Sequence, residues 1–426
     1  MVLEALNDWN VWWKDINLLK ELIGKQRETS LNLDNTLKFN EIKLITGIRR
    51  SGKSTYFYQI INNLLNNGVK PEKILFINFE DEILSKKKLS EIFSIYQSNI
   101  NANNEIYLFL DEVHRCKEWE LFVRKLYDTK QAAQIFITDS SSHFISREYA
   151  MLFTGRNIKF VFYPLSFKEY LFWHGIKEIK NISSFDKNKI KKILNEYRIY
   201  GGFPAVFFKD HNFKNILLKE YFNDILYLDI IDRFNIDINK ARDLCLFLLS
   251  NIVRQFSVRN YSRQHNISFE SIEKYLTCFE EVFFIFRLSR FNYSFKSQQL
   301  SQKKIYGIDN GLANAVGFKF SQNLGQIYEN IVFVELKRQN KEIYYYGEKF
   351  ECDFLIKEGI KIRQAIQVCY DVTQDNIKRE INGLLEAMNQ FKLKYGIIIT
   401  DDLEETRKIK NKTIHFIPLW KWLLEH

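Results

Sequence analysis

The segment Gly47-Ile48-Arg49-Arg50-Ser51-Gly52-Lys53-Ser54-Thr55 decides the fold of this chain. An apolar stretch at residues 41–46 precedes it and predicts a buried strand, and residues 56–65 follow it with a helical pattern. The order matches G-x-x-x-x-G-K-[ST], a phosphate-binding loop, in the strand, loop and helix context that the motif requires. The sequence therefore predicts a nucleoside triphosphate site, and ATP is the expected nucleotide.

Each residue type in this loop has a chemical task. Gly47 and Gly52 let the backbone curl so that its amide groups point at phosphate oxygens, and the following helix adds the positive end of its dipole. Lys53 supplies a mobile cation for the β- and γ-phosphates, and Ser54 offers Mg²⁺ a small hydroxyl ligand. The predicted nucleotide-binding set is Gly47, Arg49, Arg50, Ser51, Gly52, Lys53, Ser54 and Thr55.

A second apolar strand, residues 106–110, runs directly into Asp111 and Glu112. We expect Asp111 to hold Mg²⁺ through water, and Glu112 to accept a proton from the attacking water. A general base has to be a carboxylate near the metal but not on it, which is what the second acid of this pair provides. The pair therefore predicts ATP hydrolysis as well as ATP binding.

Three further strands are predicted at residues 74–79, 134–138 and 158–163, with helical sequence between them. This alternation predicts an α/β core, a doubly wound parallel sheet flanked by helices. One strand should separate the strand before the phosphate loop from the strand that ends at Asp111.

Two more residues are candidates for catalysis, and each has an alternative role that the sequence leaves open. Ser140, after the fourth strand, could orient the attacking water or sense the γ-phosphate, or it could cap a helix. Arg156 carries a planar cation suited to an arginine finger or sensor, or it could form a structural salt bridge.

The length of 426 residues predicts several domains, at roughly 100–200 residues each. We expect an N-terminal helical segment, an ATPase core, a helical and winged-helix region and a small α/β domain, at residues 1–40, 41–170, 171–300 and 301–426. Apolar stretches fall short of the roughly 18 residues that span a bilayer, and residues 1–15 lack the pattern of a signal peptide. A cytoplasmic protein without membrane contact is expected, and its five scattered cysteines favour reduced thiols.

Charge and pattern make double-stranded DNA a candidate partner. The chain has 62 basic and 52 acidic residues and a formal net charge of +10, which suits a phosphate-rich partner. Residues 242–295 predict a winged helix-turn-helix, with a turn at residues 266–268 and a helix from Phe269 capped by Ser268. Glutamates on that helix would repel phosphate, so a protein partner stays open. The basic candidates for DNA contact are Arg259, Arg263, Lys274, Arg287 and Arg290.

The last hundred residues resemble a PD-(D/E)xK nuclease fold in the order of their elements. Such nucleases hold Mg²⁺ with a carboxylate pair and activate water with a lysine. Asp353 fits the first position, and Glu329 could donate a carboxylate, but Gln367 and Cys369 stand where the second acid and the lysine belong. The sequence therefore favours a retained fold used for binding or dimerisation over nuclease activity.

Taken together, these motifs resemble a family of prokaryotic AAA-type ATPases in which an ATP-binding half is joined to a C-terminal domain of unknown function. The resemblance covers nearly the whole chain and implies ATPase activity; it makes a homo-oligomer reasonable, while a monomer or dimer stays open. Asp139 stands where the family usually has glycine, and this departure weakens the case for Ser140 as a sensor. The resembling segments are residues 45–55, 78–81, 110–113, 137–141, 155–156, 164–167, 201–204, 224–225, 229–230 and 311–312.

The leading hypothesis is an ATP-driven switch in which Lys53, Ser54 and Asp111 hold Mg-ATP. One alternative is an ATP-regulated nuclease that processes DNA, against which Gln367 and Cys369 argue. The other is a protein-interaction module that holds ATP structurally, against which Glu112 argues, because such a site needs no base.

Overall fold

The computed structural model describes residues 1–27, 36–102, 105–142, 153–176, 184–317 and 323–425. The chain divides into two compact units, Met1–Tyr163 and Pro164–His426. The finer division into four parts stays a prediction. Among the helices described, none combines the length and the apolar character needed to cross a membrane.

The first unit is built on a five-stranded parallel sheet with the strand order β2-β3-β4-β1-β5. The strands are β1 (Ile42–Thr46), β2 (Ile74–Asn78), β3 (Ile106–Asp111), β4 (Ala132–Asp139) and β5 (Asn157–Val161). The helices are α1 (Val2–Trp9), α2 (Lys53–Asn66), α3 (Leu89–Asn99) and α4 (Trp119–Asp128). The predicted doubly wound α/β core is confirmed, and β4 is the expected strand between β1 and β3.

Both faces of this sheet are buried, as a parallel sheet requires. Alternate side chains of β2 enter two hydrophobic clusters, with Leu75 and Ile77 in one and Ile74 and Phe76 in the other. The free edge of β2 is covered by Asn10, whose side-chain amide donates to and accepts from the backbone of Phe76 at 2.8 Å each. The core therefore fixes the carboxyl ends of β1, β3 and β4 at one edge of the sheet.

The second unit begins with helices. They are α5 (Phe167–Trp173), α6 (Ser184–Tyr200), α7 (Pro204–Phe207), α8 (His211–Asp224), α9 (Asp232–Phe234) and α10 (Ile238–Ser250), with a π-helical segment Ile225–Ile231 after α8. Ser166 and Glu169 form a capping box at the start of α5.

A small antiparallel sheet of three strands follows, in the order β6-β8-β7. Its elements are β6 (Gln255–Phe256), α11 (Val258–His265), α12 (Phe269–Glu281), β7 (Ile285–Leu288), α13 (Phe295–Leu300) and β8 (Lys303–Gly307). Ser268 caps α12 by accepting a hydrogen bond from the Ser271 amide, as predicted. The α12 side chains expected in the core are buried: Ile272, Tyr275, Leu276 and Phe279.

The chain ends in a mixed six-stranded sheet with the order β13-β14-β12-β11-β10-β9. The strands are β9 (Glu342–Gly347), β10 (Glu351–Glu358), β11 (Lys361–Cys369), β12 (Tyr395–Thr400), β13 (Glu405–Ile409) and β14 (Lys412–Pro418). The helices from Asn310 onward are α14 (Asn310–Val316), α15 (Leu324–Arg338), α16 (Gln374–Gln390) and α17 (Leu419–Glu425). Strands β11, β12 and β14 pair in parallel, and the other pairings are antiparallel.

Candidate functional site

The phosphate loop lies between β1 and the start of α2 at Lys53. At Gly47 (φ +152°), a Cβ atom would come within 2.1 Å of the Phe162 carbonyl oxygen, so no larger residue fits without a shift of the backbone. Gly52 is left-handed at φ +96°, and Arg50 also has a positive φ. The loop therefore curls as predicted, with the amino end of α2 directed at it.

Lys53 is a buried side chain that lies against this loop. Its Nζ atom donates to the carbonyl oxygens of Gly47 at 2.9 Å and Ile48 at 3.2 Å. It is 3.7 Å from Oε1 of Glu112. The ammonium is thus held by main-chain dipoles, and its flexible four-carbon stem lets it turn toward a phosphate.

Asp111 ends β3 and is 1% exposed. Its carboxylate accepts hydrogen bonds from the hydroxyls of Thr138 and Ser54. Burial, together with the neighbouring charge of Glu112, raises the pKa of Asp111 to about 6, although both hydroxyls oppose this rise. The structure thus brings the two predicted metal ligands together, and a hydroxyl beside a carboxylate fits the all-oxygen preference of Mg²⁺.

Glu112 follows directly in the left-handed conformation, with φ +50° and ψ +48°. Its amide donates to Thr138 Oγ1 at 3.0 Å, so that one hydroxyl is bonded to both acids of the pair. The Glu112 side chain is buried, and its Oε2 atom has no hydrogen-bond partner within the described part of the chain. A strained backbone and an unpaired carboxylate oxygen are features that cluster at functional sites.

The other predicted site residues are placed differently. Ser140 is buried just beyond β4, whose last residue, Asp139, is in register with Thr46 at the end of β1. Arg156 lies at the opposite edge of the sheet, where its carbonyl accepts from the Ile42 amide at the start of β1. Ser140 is therefore beside the phosphate loop of its own chain, and Arg156 is not.

Arg156 pairs with Asp128, with 2.8 Å between Nε and Oδ1. This ion pair raises the pKa of the half-buried Arg156 further and lowers that of Asp128. A role for Arg156 at the nucleotide of a neighbouring chain stays a prediction.

Sequence reasoning missed an arginine that supports the loop. Arg27 donates to the Ser51 carbonyl at 2.8 Å and to the Tyr163 carbonyl at 3.1 Å, and its guanidinium lies 4.5 Å above the Phe162 ring. Within the loop, Arg49 pairs with Glu80 at 2.7 Å. Neither contact has a local sequence signal, because Arg27 and Glu80 are distant in the chain from the loop they meet.

The nuclease-like region also brings acids together, around a lysine that sequence reasoning did not consider. Lys304 of β8 is only 3% exposed, and its Nζ atom lies 3.0 Å from Glu329, 3.3 Å from Asp353 and 2.6 Å from Glu351. Although burial opposes charge on Lys304, these carboxylates hold its pKa well above the usual range. Burial raises the pKa of Glu329 and Asp353, and Lys304 opposes that rise.

The residues that replace the nuclease motif are also buried. Gln367 accepts from the Asp353 amide at 3.0 Å and donates to Glu380. Burial raises the pKa of the Cys369 thiol to about 12, so this side chain is neither a cation nor a ready nucleophile. The one lysine close to the acids is therefore Lys304, among the residues the structure describes.

Of the basic residues predicted to contact DNA, two are tied into ion pairs. Arg287 pairs with Glu280 at 2.6 Å and Glu273 at 2.7 Å, and Arg290 pairs with Glu348. The three that stay exposed are Arg259, Arg263 and Lys274.

The parallel sheet with its phosphate loop and acidic strand end defines a P-loop protein of the AAA type. Residues 39–171 match the family model described as an AAA domain, and residues 191–323 match one described as a domain of unknown function (DUF8612).

The relatives reach across the whole chain. "Uncharacterized protein MJ1544" of Methanocaldococcus jannaschii is 36% identical over 424 residues, which are 95% of this chain and 93% of that protein. An "Uncharacterized protein" of Haemophilus influenzae is 30% identical over 393 residues, 90% of this chain and 94% of that protein. The chain belongs to the family of these two proteins, and the AAA-type resemblance drawn from its motifs is confirmed.

Among solved structures, the fold is similar to that of the Aeropyrum pernix Orc1 protein in complex with DNA. The TM-score is 0.34 at 10% sequence identity, over 68% of this chain and 92% of that chain.

Proposed function

We propose that this chain is a Mg-dependent ATPase whose nucleotide state switches the protein between two conformations. The observation that carries the proposal is the meeting of Lys53, Ser54, Asp111 and Glu112 at one edge of the sheet. Lys53 Nζ is 3.7 Å from Glu112, and the hydroxyl of Ser54 is bonded to Asp111. A phosphate-binding cation, two oxygen ligands for Mg²⁺ and a separate carboxylate are the parts that phosphoryl transfer to water needs.

In this mechanism the loop amides and Lys53 hold the phosphates and stabilise the charge that develops on them. Ser54 and Asp111 would hold Mg²⁺, which supplies neutralisation of the phosphate charge when it is bound. Thr138 fixes the spacing between the two acids, since its hydroxyl is bonded to both. Glu112 then accepts the proton of the attacking water through its free oxygen.

Steady-state ATP hydrolysis by wild type and Glu112→Gln tests the proposal, with nucleotide binding measured alongside. We expect Glu112→Gln to bind ATP with Mg²⁺ normally and to turn over on the order of 10²–10⁴-fold more slowly, because only the proton acceptor is lost. The control is Glu91→Gln, an exposed acid on the same unit. If Glu112→Gln hydrolyses ATP as fast as wild type, the structural-ATP alternative replaces the proposal.

The output of the switch is proposed to lie in the second unit. The order α10, β6, α11, α12, β7, α13 and β8 supports a winged helix, and its exposed Arg259, Arg263 and Lys274 offer positive charge to phosphates. Four glutamates on α12 work against DNA as the partner, so a protein partner is retained as the alternative.

Double-stranded DNA binding at several salt concentrations separates these partners. A DNA partner predicts that the affinity falls steeply with salt and that Arg259→Glu with Arg263→Glu abolishes binding, while Arg287→Gln changes it little. If salt does not weaken DNA binding and the charge-reversal variant binds DNA like wild type, a protein partner is the better interpretation.

A further inference from the structure

His114 lies beside Glu112 at the edge of the sheet, where its imidazole adds a nitrogen ligand to the carboxylates. It is in the short helical turn Val113–Arg115, directly after Glu112, and it faces Asp139 at the end of β4. His114 Nδ1 is 3.4 Å from Glu112 Oε2 and 3.3 Å from Asp139 Oδ1. The three ligand atoms all lie within 4.8 Å of one another.

Two of these three atoms lack a hydrogen bond within the described part of the chain. They are Oε2 of Glu112, a residue that is only 6% exposed, and Nδ1 of His114. A buried polar atom without a partner costs about 1–3 kcal/mol, so two of them facing each other need an explanation. An ion bound between them would satisfy both atoms.

The separations fit a transition metal rather than a hydrogen bond. Bonds of about 2.0–2.1 Å from tetrahedral zinc to nitrogen and oxygen place neighbouring ligand atoms about 3.3–3.4 Å apart. The two distances at His114 have those values. An imidazole nitrogen with two carboxylates also suits Zn²⁺ and its neighbours in the series, whereas Mg²⁺ prefers oxygen alone.

Access and charge agree with this interpretation. Glu112 and Asp139 are almost fully buried, while the His114 side chain is 24% exposed and offers a way in from solvent. The Asp139 oxygen also accepts from the Ser141 amide at 3.0 Å, which fixes its direction. Two carboxylates would balance the charge of a divalent ion.

We propose that Glu112, His114 and Asp139 form a binding site for a zinc-class transition metal, separate from the Mg²⁺ ligands Ser54 and Asp111, and that metal bound there inhibits ATP hydrolysis. Inhibition follows because the metal occupies the carboxylate oxygen that accepts the proton of water. Binding of the metal stands independently, whereas its inhibitory effect rests on the proposed ATPase activity.

The first experiment measures binding of Zn²⁺ alone, by titration calorimetry and equilibrium dialysis, to the tag-free full chain without nucleotide. We expect wild type to bind Zn²⁺ at a site that His114→Ala weakens at least tenfold and Asp139→Asn weakens as well. The control is His211→Ala, whose exposed ring bonds to Tyr200 elsewhere in the chain. Circular dichroism confirms that each variant is folded. If His114→Ala and Asp139→Asn both bind Zn²⁺ like wild type, the site does not exist.

The second experiment adds Zn²⁺ to ATP hydrolysis with excess Mg²⁺, at matched free Zn²⁺ concentrations. Wild type and His211→Ala should be inhibited, and His114→Ala should resist inhibition. If wild type binds Zn²⁺ through His114 but Zn²⁺ does not inhibit its ATP hydrolysis, the inhibitory role is wrong and the metal site stands. If no variant hydrolyses ATP, the proposed ATPase function fails, while the dialysis result still decides the metal site.

Discussion

The two units each contain a buried lysine beside a pair of acids, and the two arrangements differ in what the lysine contacts. Lys53 is bonded to main-chain carbonyls and stays 3.7 Å from Glu112. Lys304 lies 3.0 Å from Glu329, 3.3 Å from Asp353 and 2.6 Å from Glu351, in contact with carboxylates themselves. In the second unit, the Lys304 side chain therefore takes the place of the metal ion that the acids of a nuclease site would bind.

We interpret this difference as one between a candidate functional site and a structural cluster. Asp111 and Glu112 are buried, Lys53 approaches Glu112 to 3.7 Å, and burial with mutual repulsion still raises the pKa of Asp111 to about 6. Charged acids of this kind cost stability, which enzymes accept because the same charges bind metal and activate water. Around Lys304 one buried cation meets three carboxylates, and burial raises the pKa of two of them, so the lysine ammonium already supplies the positive charge that a metal ion would bring.

The largest effect is expected from Lys304→Met. Removing one partner of a buried ion pair leaves the acids uncompensated and costs about 3–5 kcal/mol of the free energy of unfolding. The loss should be smaller at pH 5 than at pH 8, because Glu329 and Asp353 can then take up protons. Chemical denaturation measures it, with Lys303→Met, the neighbour on the same strand, as the control.

Divalent metal sharpens this test. Mn²⁺ should stabilise Lys304→Met, whose buried acids have lost the lysine as a counter-charge, and should leave wild type unchanged. Cleavage of DNA by wild type with Mn²⁺, abolished by Asp353→Asn, would break the comparison and make the second cluster an active site.

The next effect is expected from Lys53→Ala, and it is kinetic. Loss of a cation that acts on the transferring phosphate should lower kcat/KM for ATP by on the order of 10²–10³-fold. The free energy of unfolding should fall by less than half as much as for Lys304→Met, because Lys53 Nζ is bonded to main-chain carbonyls and lies 3.7 Å from the Glu112 carboxylate. Lys70→Ala, an exposed lysine of the same unit, is the control. Equal stability losses for the two lysines would remove the distinction drawn between them.

A smaller effect of opposite sign is expected from Asp111→Asn in the absence of nucleotide. The pKa of Asp111 is raised to about 6, so its protonated form stabilises the folded chain. This contribution to the free energy of unfolding is complete at a pH below the pKa that Asp111 has in the unfolded chain, and it is lost as the pH rises through 6. At pH 8 the charge then costs on the order of 1–3 kcal/mol, which a neutral amide avoids. Asp111→Asn should therefore be more stable than wild type at pH 8 and equal to it near pH 4, by calorimetric unfolding.

The sequence predicted the first cluster far better than the second. The phosphate loop and the acids after β3 are each local patterns, and the apolar runs that place them together are continuous in the chain. Lys304 meets Glu329 and Asp353 across 25 and 49 residues, and it is preceded by another lysine in a stretch that reads as a solvated edge. The pairing depends on the packing of β8 against α15 and β10, which no short motif records.

Two residues beside the candidate nucleotide site were not predicted either, because their contacts also depend on tertiary packing. His114 comes right after a recognised motif, but its partner Asp139 is on another strand, and only the strand order β3-β4 makes them neighbours. Arg27 precedes the first strand and reaches the loop through tertiary packing.

The smallest effect is expected at Thr138, which connects the two acids of the first cluster. Its hydroxyl accepts from the Glu112 amide at 3.0 Å and donates to Asp111, so Thr138→Val removes the partner of that buried amide and leaves Asp111 with the Ser54 hydroxyl alone of its two hydroxyl donors. We expect a loss of about 1–2 kcal/mol in the free energy of unfolding and slower ATP turnover with little change in ATP affinity. Thr138→Ser keeps the hydroxyl and should restore turnover, although it lacks the methyl group. If Thr138→Ser and Thr138→Val lose turnover equally, the methyl contact matters more than the hydroxyl, and the spacing of Asp111 and Glu112 is set by packing alone.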